Sequence, residues 1–461
     1  MRKMKKLINC VFPDTVCNLD CEYCYVGQTN QHVRVSSKNE HSLEEIREAL
    51  SYDRLGGCCH MNMCASGETL LVENIIELAK MFILEGHVVS LVTNGTVTEK
   101  IREICSLPEE IRNYLFLKVS FHYLELKRKG KSDIFWDNVR CLKNAKVSFT
   151  VEMTVNDETV PFADDVKQEC MDNIGAVCHV IESRKQDGHN WPRLTGMAIE
   201  EHQKVWGQFQ SSLFDFQQTI WGEKRTEFCY AGDWICSIDI KSGAVAQCFG
   251  GGQVLDNIYA DTSREINFCA VGRKCPWGHC YAAYVLLTHG AIPEFTQLTY
   301  AEERNRKGTD GKDWLQPSIS QTFSEKLESA NNRYTEERKA LTDFIMGVVY
   351  EGDSEVQNTL VEAMVEWIEE NAFHNIVIYG AGKLGLAIYN LLGQCGIKAA
   401  CFMDRRYQCL QLPVACVSDS HCMEKADVII VTVYREFSQI QKNLRKNGNS
   451  CRILNITQLF H

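Results

Sequence analysis

The run Val16-Cys17-Asn18-Leu19-Asp20-Cys21-Glu22-Tyr23-Cys24-Tyr25 has the spacing C-x3-C-x2-C, with an aromatic residue just before the third cysteine. Three thiolates on one short loop hold three corners of an iron–sulfur cube. The fourth iron then lacks a protein ligand and is open to a substrate or cofactor. An incomplete ligand set on a tight loop points to chemistry at the cluster rather than electron storage. Zinc is the alternative, since it also takes closely spaced cysteines. A zinc site usually shows a second cysteine or histidine pair nearby, and none follows until Cys58 and Cys59.

Outward from this loop, the chain of 461 residues is too long for one core and is expected to form several domains. Its 23 cysteines exceed what packing alone requires. Disulfides would call for an oxidising compartment and an export signal. Residues 1–6 are basic, but the apolar run 7–12 is short and holds Asn9 and Cys10, so a signal peptide is not expected. No apolar stretch approaches the roughly 20 residues of a membrane span. A cytoplasmic, reducing location with no membrane association is the expectation. The net charge of −11 argues against a nonspecific nucleic-acid binder. The basic run 127–131 reads as a solvated helix end or loop.

The first 200 residues alternate short apolar runs with amphipathic stretches. Strands are predicted at 7–11, 59–64, 88–92, 116–121, 147–155 and 176–181, with helices at 43–52 and 70–85. That alternation argues for parallel β/α units, whose active-site residues sit on loops at the C-terminal ends of strands. The three-cysteine loop follows the first strand.

The cysteine loop resembles that of the radical S-adenosylmethionine (radical SAM) family. The resemblance implies a partial β/α barrel and a 4Fe–4S cluster on Cys17, Cys21 and Cys24, with SAM chelating the open iron. It implies one-electron cleavage of SAM to a 5′-deoxyadenosyl radical that abstracts a substrate hydrogen atom, with flavodoxin or ferredoxin as electron donor. The family's aromatic position, beside the adenine, falls on Tyr23. The second strand ends in Ser66-Gly67-Glu68, similar to the family's G-G-E motif, with serine in place of the first glycine. In the family this segment holds the methionyl amino group. Glycine allows close backbone approach, and a carboxylate accepts from an ammonium. Asn94, after the third strand, and Ser120 and His122, after the fourth, fall where related enzymes contact SAM. Asn94-Gly95 also reads as a simple turn, and His122 as a satisfied core histidine.

A second cysteine set spans residues 229–280: Cys229, Cys236, Cys248, Cys269, Cys275 and Cys280. The spacing from Cys229 through Gly243 to Cys248 resembles the SPASM and twitch extensions of radical SAM enzymes, which carry auxiliary iron–sulfur clusters. The second half departs from that pattern. The expected ligands of one auxiliary cluster are Cys229, Cys236, Cys248 and Cys280, with Cys269 and Cys275 as alternates. A zinc knuckle is the other reading, because soft thiolate sets suit both metals.

Residues 299–313 are polar and read as an exposed connector, and 323–349 and 356–370 as amphipathic helices. The last segment begins with a strand that runs into Gly380-Ala381-Gly382-Lys383-Leu384-Gly385, the spacing G-x-G-x-x-G. A second strand at 399–403 ends at Asp404, 19 positions after Gly385, where a ribose-binding carboxylate is expected. A third strand is predicted at 428–433. Gly380 makes the tight turn, Gly382 admits a pyrophosphate, and Gly385 lets helix and strand pack closely. The segment resembles small Rossmann-like domains of sugar- and polysaccharide-modifying proteins. It reads either as a working site for a nucleotide or nucleotide-sugar or as a structural copy of one.

The expected fold class is α/β. It comprises a radical SAM core at 1–215, a SPASM/twitch-like region at 225–295, a helical connector at 296–372 and a Rossmann-like domain at 373–461. The expected function is a radical SAM enzyme, an oxidoreductase or other substrate-modifying type. It would act on a peptide or on a sugar-like or nucleotide-linked small molecule. Too few residues precede the first strand for an N-terminal peptide-recognition domain. The alternative is a non-enzymatic iron–sulfur or zinc protein that senses redox state or binds a nucleotide.

Overall fold

Six apolar stretches separated by helices form β1 (Lys6–Phe12), β2 (Cys59–Ala65), β3 (Val88–Thr93), β4 (Leu115–Ser120), β5 (Ser148–Thr154) and β6 (His179–Ile181). This computed structural model describes residues 2–29, 40–186 and 190–460. The six strands are parallel, and each lies beside its neighbour in sequence. Side chains alternate across a strand, so register assigns the two faces. Ile8, Met61, Met63, Leu91, Leu117, Val119 and Val151 belong to one face and are fully buried. They share a core with the apolar sides of helices Ile75–Leu84, Thr98–Ser106, Ser132–Asn144 and Ala163–Ile174. Each large side chain buried there contributes roughly 1.5–3 kcal/mol.

The other face is polar. Asn9 registers with Asn62, and Asn62 with Ser90. Closer to the C-terminal ends, Lys118 stands opposite Thr150, and Ser120 opposite Glu152. Helices Ala283–His289, Tyr300–Arg304 and Pro317–Phe323 pack here, with Tyr300 and Phe323 ringed around His60.

The cysteine-rich segment continues the same sheet. β7 (Ile235–Asp239) pairs in parallel with β1, and β8 (Ala244–Cys248) and β9 (Gly251–Asn257) follow antiparallel. The result is a nine-stranded sheet. A second sheet comprises β10 (Ile376–Tyr379), β11 (Cys401–Met403), β12 (Cys416–Val417), β13 (Val428–Val431) and β14 (Arg452–Asn455). It is wholly parallel, in the order β12-β11-β10-β13-β14. Its core also takes in Leu341, Phe344 and Ile345 of helix Glu336–Tyr350, and Leu255 and Cys269 of the cysteine-rich segment. No helix among the described residues is long and apolar enough to cross a membrane.

Several element boundaries differ from expectation. The helix expected at 43–52 stops at Ala49. The one expected at 70–85 starts at Ile75, after Asn74 turns into the left-handed region with φ 57°. The helix expected at 323–349 is three pieces, and the last begins at Glu336, where the Thr335 side chain accepts from Arg338 N. The stretch 299–313 is not simply an exposed connector. A capping box between Thr299 and Glu302 starts helix Tyr300–Arg304, in which Tyr300, Glu303 and Arg304 are buried.

Candidate active site

The loop carrying Cys17, Cys21 and Cys24 leaves β1 and is zipped to the loop after β2. Ser66 N donates to Phe12 O at 2.9 Å, Gly67 N to Asp14 O at 2.8 Å and Glu68 N to Val16 O at 2.8 Å. A Cβ on Gly67 would overlap the Val16 carbonyl. The close approach that requires glycine here is to the chain's own cysteine loop. Glu68 is 3% exposed. Its carboxylate accepts from Leu70 N at 2.9 Å, Thr93 Oγ1 at 2.6 Å and Asn94 N at 2.7 Å. Burial pushes its pKa up, against those three bonds. Glu68 is therefore a brace between the loops after β2 and β3.

Asn94 extends the brace to the cysteines. Its Nδ2 donates to Asn18 Oδ1 at 2.7 Å and faces Cys17 Sγ at 3.8 Å. Its Oδ1 accepts from Thr96 N at 3.0 Å, so the turn and the loop contact coexist. Leu19 N is the second N–H toward Cys17 Sγ, at 3.5 Å. On the far side, Glu125 accepts from Asp20 N at 2.8 Å and from Arg128 Nε at 2.7 Å, and Arg128 Nη2 reaches Asp20 O at 2.9 Å. Tyr23 OH bonds His122 Nδ1 at 2.6 Å, and burial holds His122 down to about 4, neutral at physiological pH. Ser120 sits half-buried at the end of β4. Burial raises the thiols of Cys17 and Cys21, and neighbouring cysteines of the loop add to that rise in each. The three thiols thus lie in one shared field. Asn18, Glu125 and Arg128 were not legible in the sequence, since each acts across a long stretch of chain.

In the second set, the structure gathers Cys229, Cys248, Cys275 and Cys280 around one apolar cavity of about 40 Å³. Cys280 feels the other three, after the larger effect of burial, and its thiol is pushed well up. Trp277 and Tyr281 line the same cavity, and Trp191 packs on both, with ring centroids at 4.7 and 4.2 Å. Cys236 and Cys269 are not in this group. Cys236 points to the apolar face of β7, beside Cys10. Cys269 packs in the core shared with the C-terminal sheet. The expected set is corrected accordingly: Cys275 takes the place of Cys236. Among the described residues, no group of three or more His, Cys, Asp or Glu side chains is placed closely enough to hold a metal ion.

In the C-terminal sheet, Gly380 has φ 96°, and Gly382 caps helix Lys383–Gln394. A Cβ on Gly385 would overlap the Gly380 carbonyl, whereas one on Gly382 would meet nothing within 4 Å. Asp404 Oδ2 accepts from Ala381 N at 2.9 Å and Oδ1 from Arg406 N at 2.8 Å. The carboxylate stands at the glycine turn, as the spacing anticipates.

Residues 12–161 match the model of the Radical SAM superfamily. The match covers the cysteine loop and strands β2 to β5, and the superfamily it describes implies a 4Fe–4S cluster and SAM for that segment. Among solved structures, native anSMEcpe with bound AdoMet and Cp18Cys peptide is 15% identical, with a TM-score of 0.39 over 56% of this chain and 78% of that one. Streptococcus suis SuiB is 12% identical, with a TM-score of 0.40 over 56% of this chain and 64% of that one. BtrN in complex with AdoMet and 2-DOIA is 15% identical, with a TM-score of 0.24 over 56% of this chain and 80% of that one. A comparison with curated proteins gave no match.

Proposed function

We propose that this chain cleaves SAM reductively at a 4Fe–4S cluster on Cys17, Cys21 and Cys24 and abstracts a hydrogen atom from a peptide or a sugar-like, nucleotide-linked small molecule. The observation that carries this reading is the three-thiol loop, inside the family match, braced by Glu68 and Asn94. The donor set fits the group: three soft thiols on one loop, with two N–H groups toward Cys17 Sγ. When bound, the cluster and SAM supply the radical. The protein's part is positioning. Glu68 fixes the loops after β2 and β3, Glu125 and Arg128 fix the far side of the cysteine loop, and His122 orients Tyr23. Because Glu68 is already engaged, the methionyl amino group is assigned to backbone carbonyls of residues 66–67. Asn94, Ser120 and Tyr23 complete the SAM pocket. The test is 5′-deoxyadenosine formation by anaerobically reconstituted, reduced protein.

Cys229, Cys248, Cys275 and Cys280 are proposed to hold one auxiliary iron–sulfur cluster. Four thiols leave no open iron, which suits electron transfer rather than substrate binding. The proposed domain limits are 1–215, 225–295, 296–372 and 373–461, and helix Glu336–Tyr350 of the connector packs into the C-terminal core.

The C-terminal unit reads as a Rossmann-like nucleotide site. Support comes from its strand order, which is 3-2-1-4-5 when numbered from β10, and from Asp404 at the glycine turn. The two glycines separate structure from binding. Changing Gly382 to valine places its side chain where a pyrophosphate would lie and meets no protein atom. Melting temperature should stay within a few degrees, while calorimetric binding of dinucleotides or nucleotide-sugars is lost. Changing Gly385 to valine should instead lower the melting temperature, because a backbone oxygen occupies that space. Failure of every nucleotide to bind the wild-type chain would leave a structural domain.

A further inference from the structure

Helices Thr98–Ser106 and Ser132–Asn144 pack side by side on the apolar face of the main sheet. Ile101 and Ile104 of the first, with Val139 and Leu142 of the second, are fully buried in the core beneath. Those contacts hold the two backbones in place. Cys105 and Cys141 stand at the edge of the same seam as free, half-buried thiols. Their sulfurs are 3.0 Å apart. Non-bonded heavy atoms ordinarily keep roughly 3.5–4.0 Å. A disulfide needs about 2.04 Å, so closing the bond takes about 1 Å of approach. A second close pair, Cys170 and Cys178, differs in access: both thiols are fully buried in the core, out of reach of an oxidant. The seam also backs the cysteine loop. Asn138, one turn before Cys141, donates through Nδ2 to Gly95 O at 2.9 Å and to Thr98 Oγ1 at 3.1 Å. Gly95 follows Asn94, whose Nδ2 faces Cys17 Sγ. A tie between the two helices is therefore a tie in the wall behind the Asn94 turn.

We propose that Cys105 and Cys141 are a modification site: a peroxide converts the pair to a disulfide, which straps the two helices together until a thiol reduces it. One sulfur attacks a peroxide oxygen, breaks the O–O bond and becomes a sulfenic acid, and the first water leaves. The second sulfur then attacks the first, the S–O bond breaks, and the hydroxyl leaves with a proton as the second water. In sum, two thiols and one hydrogen peroxide give one disulfide and two waters, with two electrons passing from sulfur to oxygen. Burial raises the Cys105 thiol, and the neighbouring sulfur adds to the rise, so the first attack calls for sustained oxidant. The bond closes a loop across 36 positions, and a cross-link of that span stabilises chiefly by constraining the unfolded chain. The strap keeps the wall of the Asn94 turn in place while an oxidant is present. It uses no cofactor and is independent of the radical SAM reading.

The test uses the full-length, reconstituted protein, treated with hydrogen peroxide beside a chelator that holds any iron released. Remaining thiols are alkylated, and the chain is digested with trypsin without reductant. Peptides 103–112 and 141–143 are expected joined, two hydrogens lighter than their sum, and separate after dithiothreitol. Oxidised wild type is expected to melt several degrees above identically treated Cys141→Ser, and level with it after reduction. Cys105→Ser should match Cys141→Ser, with no joined peptide in either. Alkylated Cys105 and Cys141 in the oxidised wild type would overturn the proposal without recourse to the variants. So would joined peptides from many cysteine pairs in equal yield, because that marks scrambling in an unfolded chain. A joined peptide with no difference in melting between wild type and both variants would also overturn it, since the bond would then strap nothing.

Discussion

Cys17, Cys21 and Cys24 changed together to alanine will abolish 5′-deoxyadenosine formation, yet the protein will still bind iron. The first half follows from the ligand set: with no thiol on the loop, nothing holds a cluster where SAM would meet it. The second half follows from the separation of the two cysteine groups, which lie on different loops. About four irons per chain should remain, on Cys229, Cys248, Cys275 and Cys280. Folding should survive, because the loop is held by backbone bonds, Glu68 and Glu125 rather than by its sulfurs. Chromatography of the reaction, an iron assay and circular dichroism check the three statements. Undiminished 5′-deoxyadenosine would rule out the assignment. About eight residual irons would mean two auxiliary clusters, and stoichiometric zinc without iron would mean a structural metal in the second set.

Gly67→Ala is expected to have a comparable effect from a single methyl group. The added carbon would meet the Val16 carbonyl and the backbone of Thr15, neither of which is a flexible side chain that can turn away. The loops after β1 and β2 must then separate, with loss of the bonds Gly67 N to Asp14 O and Glu68 N to Val16 O. Overpacking against rigid backbone costs about 3 kcal/mol. Cys17 is the residue after Val16, so the strain falls on the first ligand. Reconstituted Gly67→Ala should lose the iron of the first loop and at least about a hundredfold of SAM cleavage, taking that strain as the measure, while keeping the second set loaded. Wild-type iron content and turnover in this variant would show that glycine there serves some other purpose.

The strand–helix alternation and the cysteine loop were legible because both are local. Apolar period and ligand spacing are written in neighbouring residues, and all six strands of the first half appear close to where the pattern places them. The misassigned cysteine had a local signal that spacing overrode. In Ile235-Cys236-Ser237-Ile238-Asp239, period two puts Ser237 on the polar face and Cys236 with Ile238 on the apolar one, away from a ligand group. The stretch 299–313 misled for a different reason. Glu303 and Arg304 look solvated in sequence, but both are fully buried and Arg304 forms a long-range ion pair with Glu152. The bracing of the cysteine loop by Asn94, Glu125 and Arg128 was not readable at all, because each partner lies about 75 to 110 residues away along the chain.

The pairing of β1 with β7 sets the order in which the newly made chain can mature. Asn9 bonds Ser237 across a sequence separation of 228 residues. Until β7 leaves the ribosome, β1 presents one unpaired edge, and the strand that leads into the cysteine loop lacks half its lateral support. Long-range pairing of this kind is slow to close, and open strand edges invite association with other chains meanwhile. Metal delivered during synthesis would meet an unfinished cradle. A chain cut before β7 is therefore expected to load less iron on the first loop than the full-length chain, as an iron assay on the two proteins would show.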